Sequence, residues 1–421
     1  MTAPATGSRP FSRIEKLFIF FSMIAGFCIA AEYAATRPSS SAIFLSVYGS
    51  HAIPYVWLIS VPINLGAVYL YNRFLPRIGP VRMLGAIAAI IVLVHIFCAA
   101  CLSIAPHLIL AQFILKDIYI VLMFKQLWSM IHSTIAANRA KYLYGCIFGV
   151  GTLGAISGSL IPSFSAVHVG SETLFLCTIP FYSTLFFSYV QAFKRSGLAH
   201  GAFTKNLTDN PKASEGFALI RRSPFLVAVL LLVIFMQVSV GLMDYQFNAH
   251  LELNIFDKDL RTEYVGKMVG LTNAISLILQ FVGGFLMVHV LGVRGSHLFV
   301  PLMLLGNSLV AVLLPTFAFV SFAYVFIKSV DFSLFGVIRE MLYIPMKLDE
   351  KFRAKAIIDV FAYRSAKALV AFCILALQIF FGKEILHITG WVSAAVFLGW
   401  IAVVVLLLQK VAPSTLAKKS L

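Results

Sequence analysis

Acidic residues are scarce in this chain of 421 residues: 17 Asp and Glu stand against 33 Lys and Arg, and charged residues together make up only 12%. Soluble domains carry about 25% charged and about 45–50% apolar residues. With 60% hydrophobic residues, the chain cannot be a water-soluble globular protein. Cysteine is sparse as well. Cys28, Cys98, Cys101, Cys146, Cys177 and Cys373 all fall in apolar runs, which excludes a disulfide framework. The Cys98-x-x-Cys101 spacing has no second pair beside it to complete a metal site. His51, His95, His107, His132 and His250 are scattered without ligand spacing, so neither a metal nor any other cofactor is expected. The absence of a G-x-x-x-x-G-K-[ST] loop excludes nucleotide hydrolysis of the P-loop kind. Without a nucleophile and base or a metal cluster, the chain is not expected to be an enzyme. No small-residue cleavage site follows the first apolar run, so no signal peptide is expected.

What the chain does have is long hydrophobic runs. Twelve of them, near 17–36, 54–74, 83–104, 108–131, 142–163, 173–193, 225–245, 264–289, 297–318, 321–343, 356–380 and 387–408, are each long enough to span the hydrocarbon core, which takes about 17–25 residues. The expected fold class is all-α, a polytopic membrane protein of twelve transmembrane helices. The basic residues alternate in placement. Arg9, Arg13 and Lys16, then Arg73, Arg77 and Arg82, then Arg139 and Lys141, then Lys194, Arg195, Lys205, Lys212, Arg221 and Arg222 fall at alternate loops, and so do Arg294, Lys347, Lys351, Arg353 and Lys355, and finally Lys410, Lys418 and Lys419. The opposite loops hold few, chiefly Arg37, Lys258, Arg261 and Lys383. This positive-inside pattern places both termini in the cytoplasm. It also accounts for the formal net charge of +16 by topology, with no nucleic-acid partner needed. The sequon Asn206-Leu207-Thr208 falls on the cytoplasmic side, where it would not be glycosylated.

The chain repeats itself at half its length. At an offset of about 214, Asp117 meets Asp331, Lys125 meets Arg339, Gln126 meets Glu340, Arg139 meets Arg353 and Lys141 meets Lys355, a self-similarity that marks two related copies. The expected division is an N-terminal six-helix half at 1–196, a cytoplasmic linker at 197–224 and a C-terminal six-helix half at 225–421. Parallel six-helix halves are the major-facilitator arrangement, whose substrate site lies at the midplane between repeats. Arg77-Ile78-Gly79-Pro80-Val81-Arg82 and Gly292-Val293-Arg294 occupy matching loops.

Charged side chains within spans cost about 2.5–3.5 kcal/mol each on the insertion scale, so those retained mark interior or functional positions. Glu32, Lys116, Asp117, Lys125, Asp244, Lys328, Asp331, Arg339, Glu340, Arg364 and Lys367 are such positions, and their sum leans positive. Desolvated ammonium and guanidinium groups are best satisfied by phosphate or carboxylate oxygens, so the expected substrate is a small anion. Lys125 and Arg339 are expected to share it. Lys355, Asp359, Tyr363 and Lys367, each four residues apart, form a polar ladder on one helix face. Lys328 and Asp331, three apart, are expected to pair. Trp57, Tyr119, Phe124, Trp128, Phe247 and Tyr363 offer rings on which a purine could stack. Asp117, Asp331, Arg139, Lys141, Arg353, Lys355 and Asp359 are the expected gating or ion-pair residues.

Three patches resemble the ATP/ADP translocase family of intracellular bacteria and plastids. They are Ile344-Pro345 with Arg353-Ala354-Lys355-Ala356-Ile357-Ile358-Asp359 and Arg364-Ser365-Ala366-Lys367; Glu32-Tyr33 with Arg37-Pro38, Tyr48-Gly49 and Ile53-Pro54-Tyr55; and Gln126-Leu127-Trp128 with Arg139-Ala140-Lys141. The resemblance implies nucleotide exchange by alternating access in a bacterial inner membrane, through a monomer contacting membrane lipid. Carried over by position, the family's functional lysine in the second span falls on Trp57 and its fourth-span glutamate on Gln126. The seventh-span glutamate falls on Asp244 and the eleventh-span lysine on Lys367. With Lys125, Arg339, Glu340 and Tyr363, these are the expected substrate-binding residues. The alternatives are proton-coupled transport of another organic anion, through Asp117, Asp331, Asp244 or Glu340, and a carrier-derived sensor that does not transport.

Overall fold

The computed structural model describes residues 11–135, 137–198, 213–343, 358 and 362–411, and all regular structure among them is helical. Besides the short helix Ala213–Arg222, the helices are α1 (Arg13–Tyr48), α2 (Ile53–Ile78), α3 (Pro80–Cys101), α4 (Leu108–Thr134), α5 (Ala137–Val169), α6 (Leu174–Ser196) and α7 (Pro224–Asn254). The stretch Lys258–Leu313 contains α8 and α9, which meet at Gly292, and α10 (Phe317–Leu342), α11 (Tyr363–Phe381) and α12 (Ile385–Val411) complete the chain. By length and composition, ten described segments can cross a membrane. One of these is Lys258–Leu313, which the break at Gly292 divides into two spans. The 27-residue α4, which carries Lys116, Asp117 and Lys125, is a further helix of spanning length, which makes twelve helices of that length among the described residues. A backbone in lipid must satisfy its own hydrogen bonds, which is why every span is a helix. Large apolar side chains such as Phe97, Phe281, Phe285 and Phe380 are exposed, as lipid contact allows.

The loops turn where the sequence supplies glycine. Gly79 (φ 84°) ends α2 and starts α3, and Gly292 (φ 65°) separates α8 from α9. These are the loops that the sequence repeat pairs, and each needs a positive φ that only glycine adopts at little cost.

The first span is longer than the predicted 17–36. Arg37 and Pro38 lie inside α1, and Ser39 and Ser40 are fully buried on it. Arg37, counted with the loops in the sequence, therefore lies within a helix.

Contacts divide the chain into two compact units. Unit 1 holds Met1–Phe44, Asn64–Asp209 and Thr262–Gly270, and unit 2 holds Leu45–Ile63, Asn210–Arg261 and Leu271–Leu421. Within unit 1, α3 packs on α4 and α6. A side chain at Gly154 or Gly158 of α5 would collide with the backbone of Phe27 and Ala31 on α1. This is the small-xxx-small packing by which membrane helices approach closely.

Within unit 2, α7 packs on α10, α11 and α12, and α9 packs on α10 and α12. Two π-helical turns, Leu279–Gly283 in α8 and Asp331–Phe335 in α10, lie against each other. Ser276 Oγ donates to Ser329 O at 3.4 Å and Ser329 Oγ to Thr272 O at 3.2 Å, tying the two helices beside those turns. Such turns are frequent at functional sites.

Candidate functional site

In unit 1, the fourth span anchors its polar residues on the second. Lys125 Nζ donates to Asn72 Oδ1 at 2.8 Å and lies 5.5 Å from the centre of the Tyr71 ring. Gln126 is fully buried, accepts from the Tyr71 hydroxyl at 3.3 Å and donates its amide to the Pro80 carbonyl in the Gly79 turn. The position where the family resemblance places a glutamate is thus an amide holding a loop. Asp117 is half-buried on the same helix.

In unit 2, basic side chains meet acids and rings. Lys328, buried on α10, donates to Asp244 Oδ2 of α7 at 2.6 Å. The expected Lys328–Asp331 pair does not form, because Asp331 opens the π turn and accepts from Gln237 Nε2 of α7 at 2.9 Å. Arg339 donates to the Tyr363 hydroxyl of α11 at 3.1 Å, and Glu340 beside it is half-buried. Lys367 of α11 places its ammonium 5.9 Å from the centre of the Trp57 ring, within the roughly 6 Å at which a cation is drawn to an aromatic face.

The structure therefore brings Trp57 together with Lys367, Arg339 with Tyr363, and Asp244 with Lys328. It does not support two of the rings as stacking platforms. Phe247 is stacked on Tyr324 at 4.1 Å and 1% exposed, and Tyr119 is 1% exposed against Tyr182. Trp128 packs among His132, Tyr144 and Phe148. Arg139 and Lys141 stand in the first turns of α5, while Arg353, Lys355 and Asp359 lie outside the described residues, so only Tyr363 and Lys367 of the polar ladder are placed.

Sequence reasoning missed a second polar cluster, in unit 1. Glu32 is 2% exposed and accepts from Thr36 and Tyr182, both at 2.7 Å, and its carboxylate lies 3.9 Å from His95 Nε2. His95 in turn contacts Thr178 Oγ1 at 3.0 Å and Gln112 Nε2 at 2.9 Å. Glu32 stood out as an acid within a span, but nothing in the sequence links it to His95 and Gln112, which come from different helices. Among the described residues no group of three or more His, Cys, Asp or Glu could hold a metal ion.

Comparison with known proteins adds to this geometry. The family model for the TLC ATP/ADP transporter matches residues 302–411. ADP,ATP carrier protein 1 of Chlamydia muridarum (strain MoPn / Nigg) is 23% identical over 431 residues, covering 84% of this chain and 80% of the relative. ADP,ATP carrier protein 1 of Chlamydia pneumoniae is 27% identical over 175 residues, covering 37% of this chain and 34% of the relative. Among solved structures, a mutant form of the nucleoside transporter NupG superposes with a TM-score of 0.68 at 10% identity, over 93% of this chain and 99% of that one. An auto-inhibited peptide transporter of the POT family superposes with a TM-score of 0.64 at 12% identity, over 93% and 96%. The fold is thus that of the major-facilitator-type transporters.

Proposed function

We propose that this chain, an integral membrane protein that belongs to the ATP/ADP transporter family, is a secondary transporter moving a nucleotide or a similar phosphorylated anion across the membrane. It is a carrier and not an enzyme. The observation that carries the substrate class is the meeting of Lys367 with Trp57 in unit 2. Where the resemblance sets two functional lysines, this chain keeps one ammonium and lays it against an indole. A phosphate oxygen pairs well with an ammonium, and an aromatic face beside it suits a nucleobase. Arg339 with Tyr363 provides a second basic and aromatic pair in the same unit. Transport proceeds by exchange and alternating access, in a bacterial inner membrane, with both termini cytoplasmic and the carrier monomeric.

Thermal-shift binding on purified protein tests the substrate class, because a ligand of the native state raises stability with the logarithm of its excess over its dissociation constant. ATP and ADP should stabilise, nucleosides and dicarboxylates should not, and ATP-loaded proteoliposomes should show counterflow with ADP. Stabilisation by dicarboxylates alone would overturn the nucleotide reading. Single-cysteine labels at Ala105 and Pro315, in a cysteine-free background, should react from outside intact cells, and one at Leu198 should not. A reactive label at Leu198 would reverse the topology.

A further inference from the structure

We infer that Glu252 and Gln378 are positioning residues: they seat the turn between α1 and α2 on unit 2 and thereby hold Trp57 at Lys367. The use of Trp57 by a substrate rests on the transporter reading above; the seat itself does not. Unit 2 takes in Leu45–Ile63 apart from the rest of α1 and α2, so every residue involved lies in that one unit.

The chain leaves α1 at Gly49 (φ 73°) and makes a single 3-10 turn, Ser50–Ala52, before α2 begins. The first N–H groups of a helical turn have no acceptor within it. Here the Ser50 N–H donates to Glu252 Oε2 of α7 at 2.7 Å. The His51 carbonyl accepts from Gln378 Nε2 of α11 at 3.3 Å, and the same amide donates to the Tyr245 hydroxyl of α7 at 3.3 Å. The two bonds to the turn join residues 202 and 327 positions apart in the chain, so no local preference supplies them. The carboxylate is held in its turn. Arg261 is buried and donates to the carbonyls of Ile255 and, at 3.1 Å, of Glu252 itself, which fixes the backbone from which that side chain reaches out. Gly49 completes the fit, because a methyl group there would lie 3.0 Å from Glu252 Oε1 and 2.9 Å from His51 Nδ1.

Helix periodicity carries the seat to Trp57. Lys367 and Gln378 are separated by three turns of α11, so they share a face at a distance of about 16 Å along the axis. Gln378 holds the turn at His51, and Lys367 stands 5.9 Å from the Trp57 ring. The segment from His51 to Trp57 is thus laid along one face of α11. Tyr245 and Glu252, two turns apart on α7, likewise share a face. Ile53, Val56 and Trp57 are buried in the segment so held. The attraction of an ammonium for an indole is too weak to place a helix end, whereas a hydrogen bond to a carboxylate is among the strong ones. Without the seat the ring is free to leave the ammonium, and a base stacked on it loses its alignment with the phosphate.

The seat can be examined without any substrate. Fluorotryptophan in the detergent-solubilised full-length protein gives fluorine resonances for Trp57, Trp128, Trp391 and Trp400, and that of Trp57 is assigned by its loss in Trp57→Phe. Glu252→Ala should move the Trp57 resonance and leave the other three in place, and Gln378→Leu should move it by less. Glu252→Gln, whose amide oxygen still accepts from Ser50, should leave it near the wild-type position. A Trp57 resonance that stays put in both the Ala and the Leu variants, or that moves only together with the other three, would overturn the seat. ATP titrations then form a double-mutant cycle. Trp57→Ala should weaken binding at least about fivefold, the loss of one base–aromatic stack. Glu252→Ala should lose part of that factor, and the two changes together should lose no more than Trp57→Ala alone, because the seat acts only through the indole. Losses that multiply, or full ATP affinity in Glu252→Ala, would overturn the positioning role. A wild-type protein that binds no ATP would break the nucleotide reading instead, with the fluorine resonances deciding the seat.

Discussion

The fourth and tenth helices carry polar residues that match at one sequence offset, yet they use them differently. On α4, Lys125 reaches back to Asn72 on α2, and Gln126 clasps the turn that follows that helix. On α10, Arg339 turns to Tyr363 on α11. The two helices differ in one feature, the π turn at Asp331–Phe335 in α10. One extra residue in a helical turn rotates everything beyond it by about 100°, so Arg339 does not look where Lys125 looks. The residue that matches Asn72 at the repeat offset is Leu286, which offers no acceptor. The two units use their polar residues differently: in unit 2 Lys328, Arg339 and Lys367 each meet an acid or a ring, while in unit 1 Gln126 braces a loop and a carboxylate–histidine cluster is buried.

The sharpest way to break this comparison is to remove the acid of unit 2. Asp244→Asn takes from Lys328 its carboxylate partner, and losing one member of a buried pair costs about 3–5 kcal/mol. A large fall in the thermal unfolding temperature is expected, largely recovered when Lys328→Met is added. An unchanged transition in the single variant would show that the pair is not structural.

Next in size is Lys367→Gln. Losing a hydrogen bond to a charged group is worth about 1.5–3 kcal/mol, so ATP affinity should fall roughly ten- to a hundredfold, by about the same factor at low and high salt because a desolvated contact is little screened. A loss seen only at low salt would make Lys367 a surface charge. Gln126→Glu then tests whether the missing acid of unit 1 can be reinstated. A carboxylate there faces the Pro80 carbonyl without a proton to donate, so the change should destabilise by about 1–3 kcal/mol and bring no gain in counterflow. Faster transport would mean that Gln126 does more than brace the loop. The smallest effect is expected for Tyr363→Phe, which removes the hydroxyl that Arg339 holds and should weaken ATP binding by about 0.5–1.5 kcal/mol in a titration.

Much of the fold could be read beforehand, because run length and loop charge are properties of the chain alone. The exception is instructive. Arg37-Pro38-Ser39-Ser40 reads as a loop, but membrane helices tolerate proline where neighbours satisfy the backbone, and small serines let helices approach. The polar residues that the structure brings together could be singled out one by one, but not in their pairings. Trp57 and Lys367 could each be singled out, but nothing in their spacing joins the second span to the eleventh. The Lys328–Asp331 pairing failed because a π turn leaves no mark in hydrophobic periodicity. His95 and Gln112 were invisible for a related reason: each is one polar residue in an apolar helix, and only the packing of α1, α3, α4 and α6 makes a cluster of them.

The glycines of α5 have a mechanical consequence. Where Gly154 and Gly158 lie against Phe27 and Ala31, main chain meets main chain with no side chain between. Side chains act as bearings when helices slide, and here there are none, so α1 and α5 must travel as a single rod. Glu32 is the next residue after Ala31. Its height in the bilayer is therefore set by a helix to which it makes no hydrogen bond, and any tilt of α5 carries the carboxylate toward or away from His95 without a single rotamer changing.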